Sequence, residues 1–259
     1  MDGICDDLEA ETDALGDVIE DLSEAQWRLP TPAAGWDSRD TMIHLGMTDW
    51  VATAAVADPE RFEDIKASAA RGETELHSAA GIDFAPMSGA QIWEWLRAER
   101  AKMLEAVRPL GNKDRIGWFG PSMGARSFVT ARLMETWSHG HDVADTHGRV
   151  LPRTQRLRHV AHIGVSTRGW SYANRGREVP SDPVRVELAA PNGDLWTWGP
   201  LEAVNVVRGD AYDFCLAVTQ RRHHTETTLS LTGPLATEWM DIAQAFAGPA
   251  TDAASRRAA

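Results

Sequence analysis

Apolar residues in the first half of the chain recur with the period of an α-helix. Between residues 3 and 27, Ile4, Leu8, Leu15, Val18, Ile19 and Leu22 fall on one side and acidic residues on the other, which predicts a first helix. The segment LPTPAAGWD that follows holds two prolines and a glycine and reads as a connector, with Asp37 or Ser38 placed to cap the next element. A second helix runs through residues 39–56 and is broken by Asp58 and Pro59. Residues 60–86 read as loop with short helix, because Gly72, Gly81 and Pro86 interrupt any long regular element. Ser88 then precedes Ile92, Trp93, Trp95, Leu96, Met103, Leu104 and Val107, a third helix that stops at Pro109. The glycine-rich GWFGPSMGAR delivers the chain into a fourth helix over 127–147, closed by Gly148.

After Pro152 the period changes. Residues 154–174 read as helix, but Val184, Val186 and Leu188 then alternate, a Pro-Asn-Gly turn follows, and Leu195, Trp196 and Trp198 complete a β-hairpin pattern. A short apolar run at 204–207 becomes helical near Asp210, TTLSLTG reads as another short strand, and ATEWMDIAQAFAG as a final helix. The predicted fold class is α+β: a four-helix bundle over residues 1–150, a smaller α+β domain over 151–250 and a flexible tail over 251–259.

A formal charge of −12 and a pI near 5.2 argue against nucleic acid or an anionic membrane as partner, since those surfaces attract basic patches, and leave small molecules as the favoured class. The acidic N-terminal stretch lacks the basic and apolar regions of a signal peptide, and no apolar run approaches the roughly 18 residues of a membrane span. A cytoplasmic location is the expectation. Cys5 and Cys215 are far apart and form no metal-type cluster, so both are expected to be reduced, structural thiols. Most of the eleven tryptophans are expected in the core.

Candidate chemistry concentrates on the fourth helix. Arg132, Glu135, His139 and Asp142 are spaced by three, four and three, which sets all four on one helical face. Glu135 and His139 can address one ion, but a catalytic site needs a third ligand from elsewhere. His44, set among Met42, Ile43, Leu45 and Met47, is the candidate. Read alone, His44 is better explained as a core histidine bonded to a carbonyl or carboxylate than as a ligand, and the Glu135–His139 pair fits a solvated or hydrogen-bonded helix face. His141 is the poorer ligand, because two residues from His139 it projects roughly 200° round the helix. Asp142 is either an acceptor holding the His139 ring or a surface acid.

The segment WDSRDTMIHL at 36–45 resembles the DinB superfamily signature, in which a Trp-led turn enters the second helix and its His binds metal. RLMETWSHGHD at 132–142 resembles the fourth-helix signature of the mycothiol-dependent maleylpyruvate isomerase branch, and FGPSMGARSFVTARLMETWSHGHD with DIAQAFAGP resembles an actinobacterial metal-binding subgroup of it. The resemblance implies a DinB-like bundle with His44, Glu135 and His139 as the protein ligands of a divalent metal, zinc being the default. It further implies mycothiol as thiol cofactor, a small unsaturated or electrophilic substrate, and an arginine from the C-terminal domain reaching the active site. TQRRH at 219–223 stands in about the corresponding place, making Arg221 the first choice for the catalytic and cofactor-binding role and Arg222 the alternative. The chain departs from the characterised isomerase in the apolar segment before this arginine and in carrying His223 and His224, which read as a solvated basic cluster or as contacts to an anionic substrate. The expected activity is a metal-dependent, thiol-assisted isomerase or transferase. A thiol-independent hydrolase or cyclase and a non-catalytic metal-binding carrier are the alternatives.

Overall fold

The computed structural model describes residues 1–71, 79–111, 113–120 and 122–253, and the chain divides into two compact units, Met1–Leu151 and Pro152–Ala259. The first unit is built on four long helices: α1 (Asp2–Ile19), α3 (Ser38–Ala57), α5 (Gly89–Val107) and α6 (Ala125–His147). A single turn, α2 (Glu24–Trp27), and α4 (Pro59–Ala70) lie between them. The helix expected over 3–27 is therefore two elements. Ser23 and Gln26 form a capping box, in which each side chain bonds the other residue's backbone N–H, so the chain restarts a helix there instead of continuing one. Between Asp58 and Ala70 the structure is more regular than the interrupted pattern predicted: Asp58 caps α4 through its side chain and Pro59 occupies the first helical position, where a missing N–H is harmless. Residues 72–78 of the expected loop lie outside the described residues.

Asp37 caps α3 in a second capping box with Asp40, and Ser88 caps α5 in a third with Gln91. Gly148 ends α6 with φ 62°, the left-handed conformation that glycine adopts without a Cβ clash. α3 packs along α5, and α1 along α6. The contact between α3 and α5 depends on Gly46, where a Cβ would stand 2.3 Å from the Trp95 ring. Leu15, Val18, Ile19, Trp27, Met42, Leu45, Ile92, Leu96 and Val143 fill the core between these helices. A two-residue ladder, β1 (Arg115–Ile116) with β2 (Met123–Gly124), precedes α6, and its connecting loop lays Trp118 on Phe62 and edge-on to Phe128.

The second unit contains α7 (Leu157–Ser166) and α8 (Arg168–Ala173), then β3 (Val184–Ala189), β4 (Leu195–Trp198), β5 (Asn205–Asp210), α9 (Ala211–Val218), β6 (Ser230–Thr232) and α10 (Pro234–Ile242). The sheet has the order β4-β3-β5-β6, with β3 antiparallel to β4, parallel to β5, and β5 antiparallel to β6. Val184, Val186 and Leu188 alternate into the core as their period-two pattern requires. The helix expected over 154–174 is interrupted at Thr167, whose hydroxyl bonds the Ile163 and Gly164 carbonyls and ends α7. The final helix stops at Ile242, short of the expected AQAFAG extension. There the Ala243 carbonyl accepts from the Gln220 amide and the Gln244 N–H donates to Ser171, so the backbone is bonded outside any helix.

Candidate metal centre

Thr31 and Trp36 close the turn that leads into α3, the Thr31 N–H donating to the Trp36 carbonyl, and the capped first turn of α3 then projects His44 inward two turns later. α6 runs antiparallel to α3: Ser38 meets His147 at one end of the pair, with Oγ and Nε2 3.0 Å apart, and His44 meets Glu135 and His139 further along. Most of α6 is buried. The Thr136 and Ser138 hydroxyls donate to the carbonyls four residues back.

The structure brings His44, Glu135 and His139 together. Oε2 of Glu135 is 3.8 Å from Nε2 of His44 and 3.4 Å from Nε2 of His139, and one ligand atom from each residue lies within 4.8 Å of the others. The Trp36 ring covers both imidazoles, with centroids 4.8 Å from His44 and 5.6 Å from His139. Burial pushes the His44 imidazole down to about 4, against the opposing pull of Glu135, so its ring is neutral and keeps a lone pair at neutral pH. Burial raises the Glu135 carboxyl, but hydrogen bonds from His139 and His44 outweigh this and hold it ionised, well below the usual range.

Asp142 is buried and its Oδ2 lies 3.0 Å from Nδ1 of His139. With a metal in place, Asp142 would accept a hydrogen bond from Nδ1–H, and Nε2 would give up its hydrogen bond to Glu135 and offer its lone pair to the ion. His141 turns elsewhere, its ring 4.3 Å from Trp137. Two imidazoles and a carboxylate are a donor set suited to borderline divalent cations. The His44 side chain is 26% exposed and that of Glu135 16%, so solvent reaches the group. The residues present therefore fit a divalent metal.

A family model described as the mycothiol maleylpyruvate isomerase N-terminal domain matches residues 8–144, more than half of the chain and nearly all of the first unit. The chain belongs to the mycothiol maleylpyruvate isomerase family. A second model, described as wyosine base formation, matches residues 180–230. Uncharacterised proteins of two Mycobacterium tuberculosis strains, CDC 1551 / Oshkosh and ATCC 25618 / H37Rv, are each 42% identical over 243 residues, covering 94% of this chain and 95% of theirs. Crystal structures of the mycothiol-dependent maleylpyruvate isomerase and of a histidine mutant of it align with TM-scores of 0.54 and 0.53 at 16% identity. They cover 88% of this chain and 92% of each neighbour, so the α+β fold of the isomerase family extends over both units.

In this family member Arg221 and Arg222 lie just past α9 in the second unit. Gln220 adopts a left-handed backbone at φ 60°, held by its amide's bonds to the Ala243 and Thr251 carbonyls. Arg221 is buried and its Nη1 donates to the Thr219 carbonyl, whereas Arg222 is half-buried and donates to the Arg221 carbonyl. His223 and His224 are tied into a local network: Nδ1 of His223 is 2.7 Å from the Thr225 hydroxyl and Nε2 of His224 is 2.7 Å from Asp241.

The periodic pattern did not single out the polar layer beside the centre. Arg100 on α5 bonds Asp49 at 2.5 Å, Thr12 at 2.6 Å and Thr136 at 3.0 Å, joining all four long helices. Its only sequence signal was a charge falling on the same side of α5 as Leu96, Met103 and Leu104.

Proposed function

We propose that this protein is a metal-dependent, thiol-assisted isomerase or transferase of a small unsaturated or electrophilic acid, with mycothiol as the thiol. The observation that carries the reading is the convergence of His44, Glu135 and His139 from two antiparallel helices, where solvent reaches the group. His44, Glu135 and His139 would hold a divalent cation, zinc by default, which would supply the positive charge that makes a thiol or water nucleophilic at neutral pH. The neutral His44 ring and the His139 ring would bind it, Glu135 would contribute the anionic donor, and Asp142 would orient His139. Trp36 packs over both imidazoles and restricts water on that side. A thiol held beside these residues would supply a nucleophile that adds reversibly to a conjugated double bond and is not consumed. The anion-contacting role of Arg221, with Arg222 as alternative, is assigned by resemblance alone.

The experiment is metal content by mass spectrometry on protein purified without added metal or a metal-binding tag, for wild type, His44→Ala and Glu135→Ala, followed by turnover of maleylpyruvate with and without mycothiol. The reading expects near one metal per chain, lost in both variants, and turnover that needs both metal and thiol and falls in Arg221→Ala. A wild type that takes up no metal even on reconstitution overturns it. Metal-dependent but thiol-independent turnover replaces it with a hydrolase or cyclase.

A further inference from the structure

Arg132 precedes Glu135 by one helical turn on the same face of α6, and it is 7% exposed. Its Nε and Nη1 are fully buried, and among the described residues neither has a hydrogen-bond acceptor. The contrast with Arg100 is informative. Arg100 is equally buried, yet its Nε and both terminal nitrogens are engaged, and it holds the Asp49 carboxylate. Glu135, the nearest acid on Arg132's own face, is turned toward the two imidazoles.

Leaving a guanidinium buried with unmet N–H groups is expensive unless a partner answers it. What Arg132 does have is an aromatic plate: its guanidinium carbon lies 5.2 Å from the centroid of the Trp118 ring. Its charge is felt at the centre, where it opposes protonation of His44 and favours the Glu135 anion. A planar fork of donors on an aromatic face, one helical turn from a metal-type ligand set, is suited to a planar carboxylate and to a conjugated chain attached to it.

We infer that Arg132 and Trp118 form a carboxylate-binding subsite beside the metal centre, which holds the acid group of a small unsaturated carboxylic acid. The assignment of the bound molecule as substrate rests on the function proposed above; the carboxylate binding itself does not.

The test is calorimetric titration of the purified full chain, metal-loaded and metal-free, with maleate, fumarate and the uncharged dimethyl ester of maleate. Wild type, Arg132→Met, Arg132→Lys and Trp118→Leu are compared, with metal content and far-UV circular dichroism recorded for each. A dicarboxylate should bind wild type saturably and the ester should not. Affinity should fall about tenfold or more in Arg132→Met, recover in part in Arg132→Lys, and fall in Trp118→Leu, with metal content unchanged throughout. Should Arg132→Met fail to fold, the Lys and Trp118 variants carry the comparison. Equal dicarboxylate affinity in wild type and the folded Arg132 variants overturns the inference, as does absence of binding to wild type. A variant that is more stable and binds as before marks Arg132 as a structural cation, answered by Asp49 through water. If metal is absent but Arg132-dependent binding persists, the subsite stands and the metal reading falls.

Discussion

Asp142 gives the sharpest test of the metal centre, because it bonds His139 without being one of the three ligands. Replacing it with Asn keeps shape and an acceptor oxygen for the His139 Nδ1–H, now 3.0 Å from Oδ2, but removes the negative charge that raises ring basicity. Replacing it with Ala removes that acceptor from the buried His139 ring as well. Outer partners of metal-bound histidines contribute about 10–100-fold in affinity, or roughly 1.4–2.7 kcal/mol. Asp142→Asn is expected near the lower limit and Asp142→Ala near the upper. Asp142→Ala should also lower folding stability of the metal-free chain by about 1–3 kcal/mol. Competition against a chromophoric chelator measures the first quantity, and urea denaturation of metal-free protein the second. Wild-type metal affinity in both folded variants would refute the reasoning, since His139 would then not need its tautomer fixed by a carboxylate.

Three further outcomes follow from the packing. Arg100→Met strands the Asp49 carboxylate in the interior, where burial already raises its pKa against the pull of Arg100, and should destabilise by about 3–5 kcal/mol in urea unfolding; adding Asp49→Leu should recover much of the loss. Gly46→Ala drives a methyl to within 2.3 Å of the Trp95 ring and should lower stability by about 1–3 kcal/mol, whereas Trp95→Leu in the same chain should relieve it; an unchanged Tm in the single variant would mean that the helices separate freely there. His147, pushed below its ordinary 6.5 by burial and then by Arg149, takes up a proton more readily in the unfolded chain than in the folded one. Stability should therefore fall as pH drops through 6.5, and His147→Gln should flatten that part of the profile; parallel pH profiles of the two proteins would show that His147 does not contribute.

Legibility varied with the kind of signal each element carried. α3 and α5 were readable to within a residue or two because capping residues and apolar periodicity agree there: Asp37 and Ser88 both cap, and Asp58 and Pro109 both follow the end. The β3–β4 hairpin was readable from alternation and one Pro-Asn-Gly turn. Errors arose where a side chain competes for the backbone, at Ser23, Thr167 and Gln244, because hydrophobic spacing carries no information about which backbone groups those side chains bond.

The sequence alone determined that Glu135, His139, Arg132 and Asp142 share one helical face, since 3.6-residue periodicity is local and needs no partner. For His44 the residues by themselves favoured a buried, merely hydrogen-bonded ring, and it was the family resemblance that favoured a ligand. Only the tertiary structure decided that α3 and α6 run antiparallel at a register setting His44 Nε2 3.8 Å from Glu135, that Asp142 points to His139, and that Arg100 rather than Arg132 holds Asp49. The first and last of these are relations between separate helices, and they depend on how side chains such as Trp95 over Gly46 let the helices approach, which no periodicity along one chain encodes.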